Sequence, residues 1–225
     1  MAAALDGPRI EPRSGKARQL VVFLHGYGAD GNDLIALSRE WQAQLPDAAF
    51  VSPHAPEPCA GAPMGRQWFE LTFRNPDERW RGVTKAAPVL EAFLETELGR
   101  QGLPPESLAL VGFSQGTMMA LHVGLRRQTA PTAIVGYSGI YVTPDAPEGA
   151  ARAQAEIRAR PPVLLVHGER DELIPPQALF YSAETLSAAG IAVEWHLSQG
   201  LGHGIDGEGL RHGGMFLARA FLERR

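Results

Sequence analysis

The residues with the clearest chemical potential lie in the segment Gly112-Phe113-Ser114-Gln115-Gly116. A short apolar run precedes this segment and a stretch with helical spacing follows it, which is the setting of a serine nucleophile on a strand-to-helix turn. Side chains two positions before and after the serine would crowd such a turn, so glycines at 112 and 116 suit it. The sequence therefore predicts that Ser114 is a nucleophile at the start of a helix.

A serine hydroxyl is a weak nucleophile that needs a base, and the base needs an acid to orient it. After such a serine, the expected chain order is an acid and then a histidine, each on a loop that follows a strand. His203 stands in a glycine-rich loop after one apolar run, and Glu169, Asp171 and Glu172 follow another. His203 is therefore the predicted base, and the spacing leaves three candidates for the acid.

Two interpretations compete for the glycine-rich segment Gly26-Tyr27-Gly28-Ala29-Asp30-Gly31. Its spacing fits a dinucleotide-binding loop, but Ser52-Pro53-His54 stands where such a loop needs a companion acid, about 20 residues later. The alternative is a loop that donates a backbone N–H to an oxyanion, together with the residue after the nucleophile. We favour this alternative, with the amides of Tyr27 and Gln115 as donors and no nucleotide cofactor.

Other residues of reactive types are expected to be structural. Ser138 has Gly136 two positions before it but Ile140 two positions after it, so a strand-end turn is expected there. No spacing typical of a metal site appears, and no metal or other cofactor is implied. The sequence does not determine the roles of His54 and Cys59. A structural role is expected for the remaining histidines, His25, His122, His167, His196 and His212.

The composition excludes several classes of protein. The chain has 225 residues, 44% of them hydrophobic, and a net charge of −4 without the basic stripe that nucleic-acid binding needs. Its longest apolar run, residues 20–24, is far too short to span a bilayer, so no stable membrane anchor is expected. A single cysteine and an N-terminus unlike a signal peptide predict a cytoplasmic protein.

Short apolar runs alternate with longer segments of helical spacing. The runs are apolar along most of their length, as in strands covered on both faces. The sequence therefore predicts one α/β domain, residues 1–225, with a mostly parallel sheet and helices on both faces. Pro88 is expected near the start of its helix. The predicted strands are 19–24, 49–52, 108–112, 133–137, 163–167 and 192–197, and the predicted helices are 33–44, 87–98, 115–127, 176–188 and 210–223.

Six segments between Val21 and Met215 carry a family resemblance: Leu24-His25-Gly26-Tyr27-Gly28-Ala29-Asp30-Gly31, Pro53-His54-Ala55-Pro56, Trp68-Phe69, Gly112-Phe113-Ser114-Gln115-Gly116, His167-Gly168-x-x-Asp171 and Gly202-His203. Together they resemble the phospholipase/carboxylesterase family of α/β-hydrolases, the group of acyl-protein thioesterases and bacterial carboxylesterases. The resemblance implies the α/β-hydrolase fold and selects Asp171 as the acid. It also implies carboxyl esters, lysophospholipids or acyl thioesters as substrates, hydrolysed without a cofactor.

Residues 54–82 are predicted to form an irregular, aromatic-rich loop near the active site. Two interpretations of its apolar side chains stay open: they close a small core beneath the loop, or they wall an acyl pocket beside Ser114 as the resemblance implies. The candidates for the pocket wall are Met64, Trp68, Phe69 and Phe73.

The expected function is that of a serine esterase, which hydrolyses carboxylic esters of short to medium acyl chains through an acyl-enzyme on Ser114. An acyl-protein thioesterase or lysophospholipase is the alternative, and a non-catalytic binding protein with the same fold is a more distant one. The expected partner is a small-molecule or lipid ester or thioester, and a homodimer stays open.

Overall fold

A seven-stranded sheet forms the centre of the computed structural model, which describes residues 5–72, 75 and 77–224. The strand order is β1-β3-β2-β6-β7-β8-β9, and all neighbouring strands are parallel except the antiparallel pair β1 and β3. The strands are β1 (Arg9–Ile10), β2 (Gln19–Leu24), β3 (Ala48–Val51), β6 (Leu108–Phe113), β7 (Ala133–Tyr137), β8 (Val163–Gly168) and β9 (Val193–Ser198), while β4 (Glu57–Cys59) and β5 (Ala62–Gln67) form a separate hairpin.

Helices cover both faces of this sheet, which confirms the predicted architecture. Helices α3 to α6 bury one face and helices α1, α2 and α7 the other. No helix in the described ranges is long and apolar enough to cross a membrane. The helices are α1 (Gly31–Ile35), α2 (Ser38–Trp41), α3 (Glu78–Gln101), α4 (Gln115–Gly124), α5 (Gly149–Ala155), α6 (Gln177–Ala188) and α7 (Gly207–Glu223).

The strand β2 shows why the sheet strands are apolar without alternation. Leu20, Val22 and Leu24 pack into the core beneath α3 and α4, and Val21 and Phe23 pack into the core beneath α2 and α7. Successive side chains of a strand point to opposite faces, so a strand with a core on each side needs an apolar residue at every position.

Two helix predictions are wrong in detail. Residues 33–44 contain the end of α1 and the separate short helix α2 rather than one continuous helix. Pro88 lies well inside α3 instead of near its start. A proline cannot donate the helical hydrogen bond to the carbonyl of Thr84, but both Pro88 and Thr84 are on the exposed side of α3. The buried face of α3, which includes Val83 and Leu90, offsets the cost.

The prediction of an irregular loop over residues 54–82 is also wrong in part. The chain forms the antiparallel hairpin β4–β5 there, and α3 already begins at Glu78. Pro58 and Pro63 are compatible with this hairpin because each strand of a two-stranded ribbon has a free edge, where no backbone N–H is needed for pairing.

Candidate active site

Ser114 occupies a strained turn between β6 and α4. Its φ of 53° and ψ of −114° lie in a region that non-glycine residues rarely adopt. Its backbone N–H donates a 2.9 Å hydrogen bond to the carbonyl of Tyr137 at the end of β7. A side chain at Gly112 would overlap the backbone of Gly116, and one at Gly116 would overlap the carbonyl of Leu24. The turn therefore has the geometry that the glycine spacing predicts.

Asp171 and His203 are joined by a short hydrogen bond. Nδ1 of His203 lies 2.7 Å from Oδ2 of Asp171, whose side chain is fully buried. The carboxylate is an acceptor, so Nδ1 carries the proton and Nε2 of His203 has a free lone pair. The other oxygen of Asp171 accepts hydrogen bonds from the backbone N–H groups of Leu173 (3.0 Å) and Ile174 (2.9 Å), which fix the carboxylate.

The two other candidate acids lie elsewhere. Glu169 and Glu172 are exposed. Glu169 accepts a 2.9 Å hydrogen bond from the backbone N–H of Gly200, in the loop that follows β9. Only Asp171, of the three, contacts His203 among the described residues.

Ser138 supports the position of the histidine loop, which comprises residues 199–206 between β9 and α7. The Ser138 hydroxyl donates a 3.0 Å hydrogen bond to the carbonyl of Gly204, the residue after His203. On the other side, the ring of His203 packs against Phe113, the residue before Ser114, with 5.0 Å between the ring centroids. The histidine and the serine turn are thus neighbours.

Ser138 is at a strand end, as predicted, but the sequence analysis missed its contact with the histidine loop. Its φ of 45° is the second positive value at a non-glycine residue in the described chain. Flanking glycines at 136 and 139 are the only signal of this strained turn in the sequence, and the hydroxyl's partner is 66 residues away.

The glycine-rich loop after β2 approaches the same serine. A side-chain carbon built at Gly26 would lie 3.3 Å from the Cβ of Ser114. The hairpin β4–β5 holds this loop through backbone hydrogen bonds, from Gly28 to the carbonyl of Arg66 (2.9 Å) and from Arg66 to the carbonyl of Ala29 (2.7 Å). Within the described residues, the backbone N–H groups of Tyr27 and Gln115 make no hydrogen bond. Their role as oxyanion donors stays a prediction.

The side chain of Gln115 has a role that the sequence analysis did not identify. It is fully buried, accepts a 2.9 Å hydrogen bond from the backbone N–H of Trp68 and donates a 2.8 Å hydrogen bond to the carbonyl of Phe69. Gln115 therefore connects the segment after β5 to the first residue of α4. No sequence pattern indicates this link.

Two histidines hydrogen-bond beneath their loops, as predicted. Nε2 of His25 accepts a hydrogen bond from the backbone of Ala55, so Nδ1 donates to the carbonyl of Gly26; burial lowers the pKa of this imidazole. Nε2 of His167 donates a 2.8 Å hydrogen bond to the carbonyl of Ile174 and lies 3.2 Å from Oδ2 of Asp171. His167 thus lies against the same carboxylate oxygen as His203.

The structure separates the four candidates for the acyl-pocket wall. Trp68 and Phe69 are buried in the main core, where Trp68 also donates a hydrogen bond to the carbonyl of His25. Met64, in contrast, is 92% exposed at the hairpin β4–β5. Phe73 lies outside the described residues. Contact of these side chains with a substrate stays a prediction.

Comparisons with known proteins identify the family to which the chain belongs. Residues 5–220 match the phospholipase/carboxylesterase family. The crystal structure of esterase PE8 has a TM-score of 0.91 and 42% sequence identity, and the match covers 97% of this chain and 100% of that chain. Esterase YpfH of Escherichia coli K12 is 30% identical over 196 residues, which cover 87% of this chain and 80% of the relative.

Another relative, of lower sequence identity, is named as a thioesterase. Acyl-protein thioesterase 1 of Gibberella zeae is 26% identical over 217 residues, which cover 90% of this chain and 91% of the relative. The strand-to-helix turn at Ser114, the parallel sheet that carries it and the match over nearly the whole chain lead to one conclusion. The chain belongs to the phospholipase/carboxylesterase family of α/β-hydrolases and is a carboxylic ester hydrolase.

Proposed function

We propose that the protein hydrolyses carboxylic esters through an acyl-enzyme on Ser114. The hydrogen bond between Asp171 and His203 carries this proposal, because it leaves Nε2 of His203 free to accept a proton. In the first step His203 accepts the proton of the Ser114 hydroxyl while the serine oxygen attacks the acyl carbonyl. The protonated imidazole then donates that proton to the leaving alkoxide, and the alcohol departs.

Hydrolysis of the acyl-enzyme follows the same path with water in place of the serine. His203 accepts a proton from water, the hydroxide adds to the acyl carbon, and the carboxylic acid leaves as Ser114 regains its proton. Asp171 keeps the imidazole in the required tautomer and stabilises its positive charge. In both tetrahedral intermediates the oxyanion accepts hydrogen bonds from the backbone N–H groups of Tyr27 and Gln115.

The proposed substrates are esters of short to medium acyl chains. A shallow cleft lies beside residues 26–31, the oxyanion loop, and its wall combines an apolar part, with Ala62, Pro63 and Met64, and a polar part, with Asp30, Asn32 and Asp33. The apolar part of this wall supports the choice. An apolar acyl chain gains about 0.8 kcal/mol for each buried methylene group. Acyl-protein thioesterase or lysophospholipase activity is the second candidate, favoured by the relative named acyl-protein thioesterase 1.

Labelling with a fluorophosphonate tests the mechanism. We expect the wild-type protein to carry one label per chain, on Ser114, and the Ser114→Ala variant to carry none. The Ser138→Ala variant keeps Ser114 and should be labelled there. A wild-type protein that is folded but unlabelled would indicate the alternative, a non-catalytic binding protein. A panel of p-nitrophenyl esters and matched acyl thioesters then distinguishes an esterase from a thioesterase by the ratio of kcat/KM at equal acyl length.

We also propose that residues 1–225 form one domain that acts in the cytoplasm. A sheet with strands from Arg9 to Ser198 supports the single domain, and the one cysteine, buried and free, supports a reducing compartment. Exposed apolar side chains, among them Phe180 on α6 and Trp195 on the edge strand β9, are compatible with a homodimer. Sedimentation of the wild type and of Trp195→Glu tests that assembly.

A further inference from the structure

Three side chains with metal-binding atoms converge on the face of β9 that packs against α7. One ligand atom each from His196, Glu208 and His212 lies within 4.8 Å of the other two. Glu208 and His212 are four residues apart on α7 and therefore share a face of the helix. The imidazole rings of His196 and His212 face each other, with 4.5 Å between their centroids and 35° between their planes.

The hydrogen bonding of this cluster is incomplete. Nε2 of His196 is inaccessible to water and has no hydrogen-bond partner among the described residues. A buried polar atom is unfavourable when it is left without a partner. Glu208 lies 3.8 Å from Nε2 of His212 and 3.8 Å from the Arg211 guanidinium, which is beyond hydrogen-bond distance for both. The carboxylate is therefore available to a stronger partner.

The donor set favours one class of ion. Two imidazole nitrogens and one carboxylate oxygen are typical ligands of Zn²⁺ and related transition-metal ions, whereas Ca²⁺ and Mg²⁺ require oxygen ligands. Zinc bonds of about 2.0–2.1 Å place tetrahedral ligand atoms about 3.3 Å apart. The distances between the three ligand atoms, now up to 4.8 Å, must therefore shorten when an ion binds. Glu208 is exposed and His212 half-buried, so rotation of their side chains can bring the atoms together. Water would complete the coordination on the exposed side.

We propose that His196, Glu208 and His212 form a surface binding site for Zn²⁺ or a similar divalent transition-metal ion. The three ligands come from β9 and α7, the two elements that flank the histidine loop. A bound ion would connect the two ends of that loop and stabilise the folded chain, because it binds only where the two elements are assembled. The site is separate from the acyl-transfer residues and does not depend on the proposed function.

Titration of the purified full-length chain with Zn²⁺, followed by calorimetry, tests the proposal. The same chain with Co²⁺ reports the coordination geometry through its visible absorption bands. We expect one ion per chain, a Co²⁺ spectrum typical of four or five ligands and a Tm that rises with Zn²⁺ concentration. His196→Gln, His212→Gln and Glu208→Gln should each weaken Zn²⁺ binding more than 10-fold, since even an indirect partner of a metal ligand contributes about 10- to 100-fold.

Two control variants separate this site from other metal-binding positions. Glu184→Gln removes an exposed carboxylate on α6, and His203→Gln removes the imidazole of the proposed acyl-transfer site; both should bind Zn²⁺ like the wild type. Circular dichroism establishes that every variant is folded. The proposal is wrong if the wild type binds no Zn²⁺ at millimolar concentration, if the three ligand variants bind it unchanged, or if His203→Gln abolishes the binding.

Discussion

The hydroxyl of Ser138 donates a hydrogen bond of 3.0 Å to the carbonyl of Gly204, the residue that follows His203 in the chain. Ser138 is fully buried and has a positive φ, so its side chain has little freedom to take another partner. The contact joins the end of β7 to the histidine loop. It therefore fixes the backbone next to the imidazole from a strand that also holds the Ser114 amide through Tyr137.

We expect Ser138→Ala to lower kcat about 10-fold. Without the hydrogen bond His203 is held less precisely, and a bond of roughly 1.4 kcal/mol corresponds to a 10-fold change in rate. KM should change little, since the hydroxyl points to the histidine loop and not to the cleft. Steady-state kinetics on a p-nitrophenyl ester measures both constants. Ser187→Ala, at an exposed position on α6, is the control. An unchanged kcat for Ser138→Ala would show that the contact does not position the base.

Asp171→Asn should reduce kcat by about 10⁴-fold, because the amide cannot hold His203 in the tautomer with a free Nε2. The matched variants Glu169→Gln and Glu172→Gln should retain kcat within a few-fold, since neither carboxylate contacts His203. Single-turnover measurement of acyl-enzyme formation separates this effect from product release. Loss of activity in Glu169→Gln with full activity in Asp171→Asn would reverse our assignment of the acid.

Gln115→Glu should destabilise the fold by about 3 kcal/mol. The carboxylate can still accept from Trp68, but it cannot donate to the carbonyl of Phe69, and it places a charge in a fully buried position. Urea unfolding gives the change in the free energy of unfolding. Gln128→Glu, at an exposed position, is the matched control. Equal stability of the two variants would mean that the Gln115 contacts contribute nothing.

The stability of the fold should decrease as the pH falls from about 6.5 towards 3. His122 is buried against Trp80, and this burial, together with nearby Arg126, lowers the pKa of its imidazole to about 3. An unfolded histidine titrates near pH ~6.5, so in this range the unfolded chain binds a proton that the folded chain does not. Protons therefore favour unfolding. Burial of His25, which also lowers the pKa of its imidazole, acts in the same direction.

His122→Leu should make the free energy of unfolding less dependent on pH between 6 and 4. Urea unfolding at several pH values gives this slope for the wild type and the variant. If His122→Leu and the wild type had the same slope, another group would cause the acid sensitivity.

Acyl-chain preference should depend on Met64 rather than on Trp68. The kcat/KM for p-nitrophenyl esters should rise from acetate to hexanoate by up to about 4-fold for each methylene group. Met64→Ala should flatten this rise without lowering Tm, because Met64 is 92% exposed. Trp68→Ala should lower Tm instead, since Trp68 belongs to the core. A wild-type slope in Met64→Ala would exclude that side chain from the acyl site.

Six of the seven sheet strands could be predicted from the sequence because their apolar runs reflect burial on one or both faces, whereas the two-residue edge strand β1 has no such run and was missed. The bounds of β2 and β7 agree with the prediction, and those of β3, β6, β8 and β9 differ by one residue at one or both ends. The start of α3 was missed because its first turns include charged residues and the helix continues through Pro88. The hairpin β4–β5 was missed because prolines usually indicate irregular chain, and nothing in the sequence shows that Pro58 and Pro63 lie in a two-stranded ribbon with free edges.

The features of the candidate site also differ in how far the sequence predicts them. The positions of Ser114 and His203 at one edge of the sheet could be predicted from chain order and the strand ends. The same reasoning left Glu169, Asp171 and Glu172 as candidate acids, and only the family resemblance selected Asp171. The partners of the Ser138 hydroxyl and the Gln115 side chain could not be predicted, since they are 66 and 47 residues away along the chain. Contacts of that kind depend on how loops from different strands meet, which no local pattern records.

The hairpin β4–β5 contacts the oxyanion loop through the backbone of Gly28, Ala29 and Arg66. Because these contacts use main-chain atoms, most residues of the hairpin could be exchanged without moving the Tyr27 amide, although position 66 must keep a backbone N–H and so excludes proline. Natural or engineered substitutions in the hairpin can therefore accumulate while the proposed acyl-transfer residues keep their positions. Gly65 is an exception, since any side chain there would overlap the backbone of Gly28. Under the proposed function, the hairpin can therefore change the substrate range while the oxyanion donor stays in place.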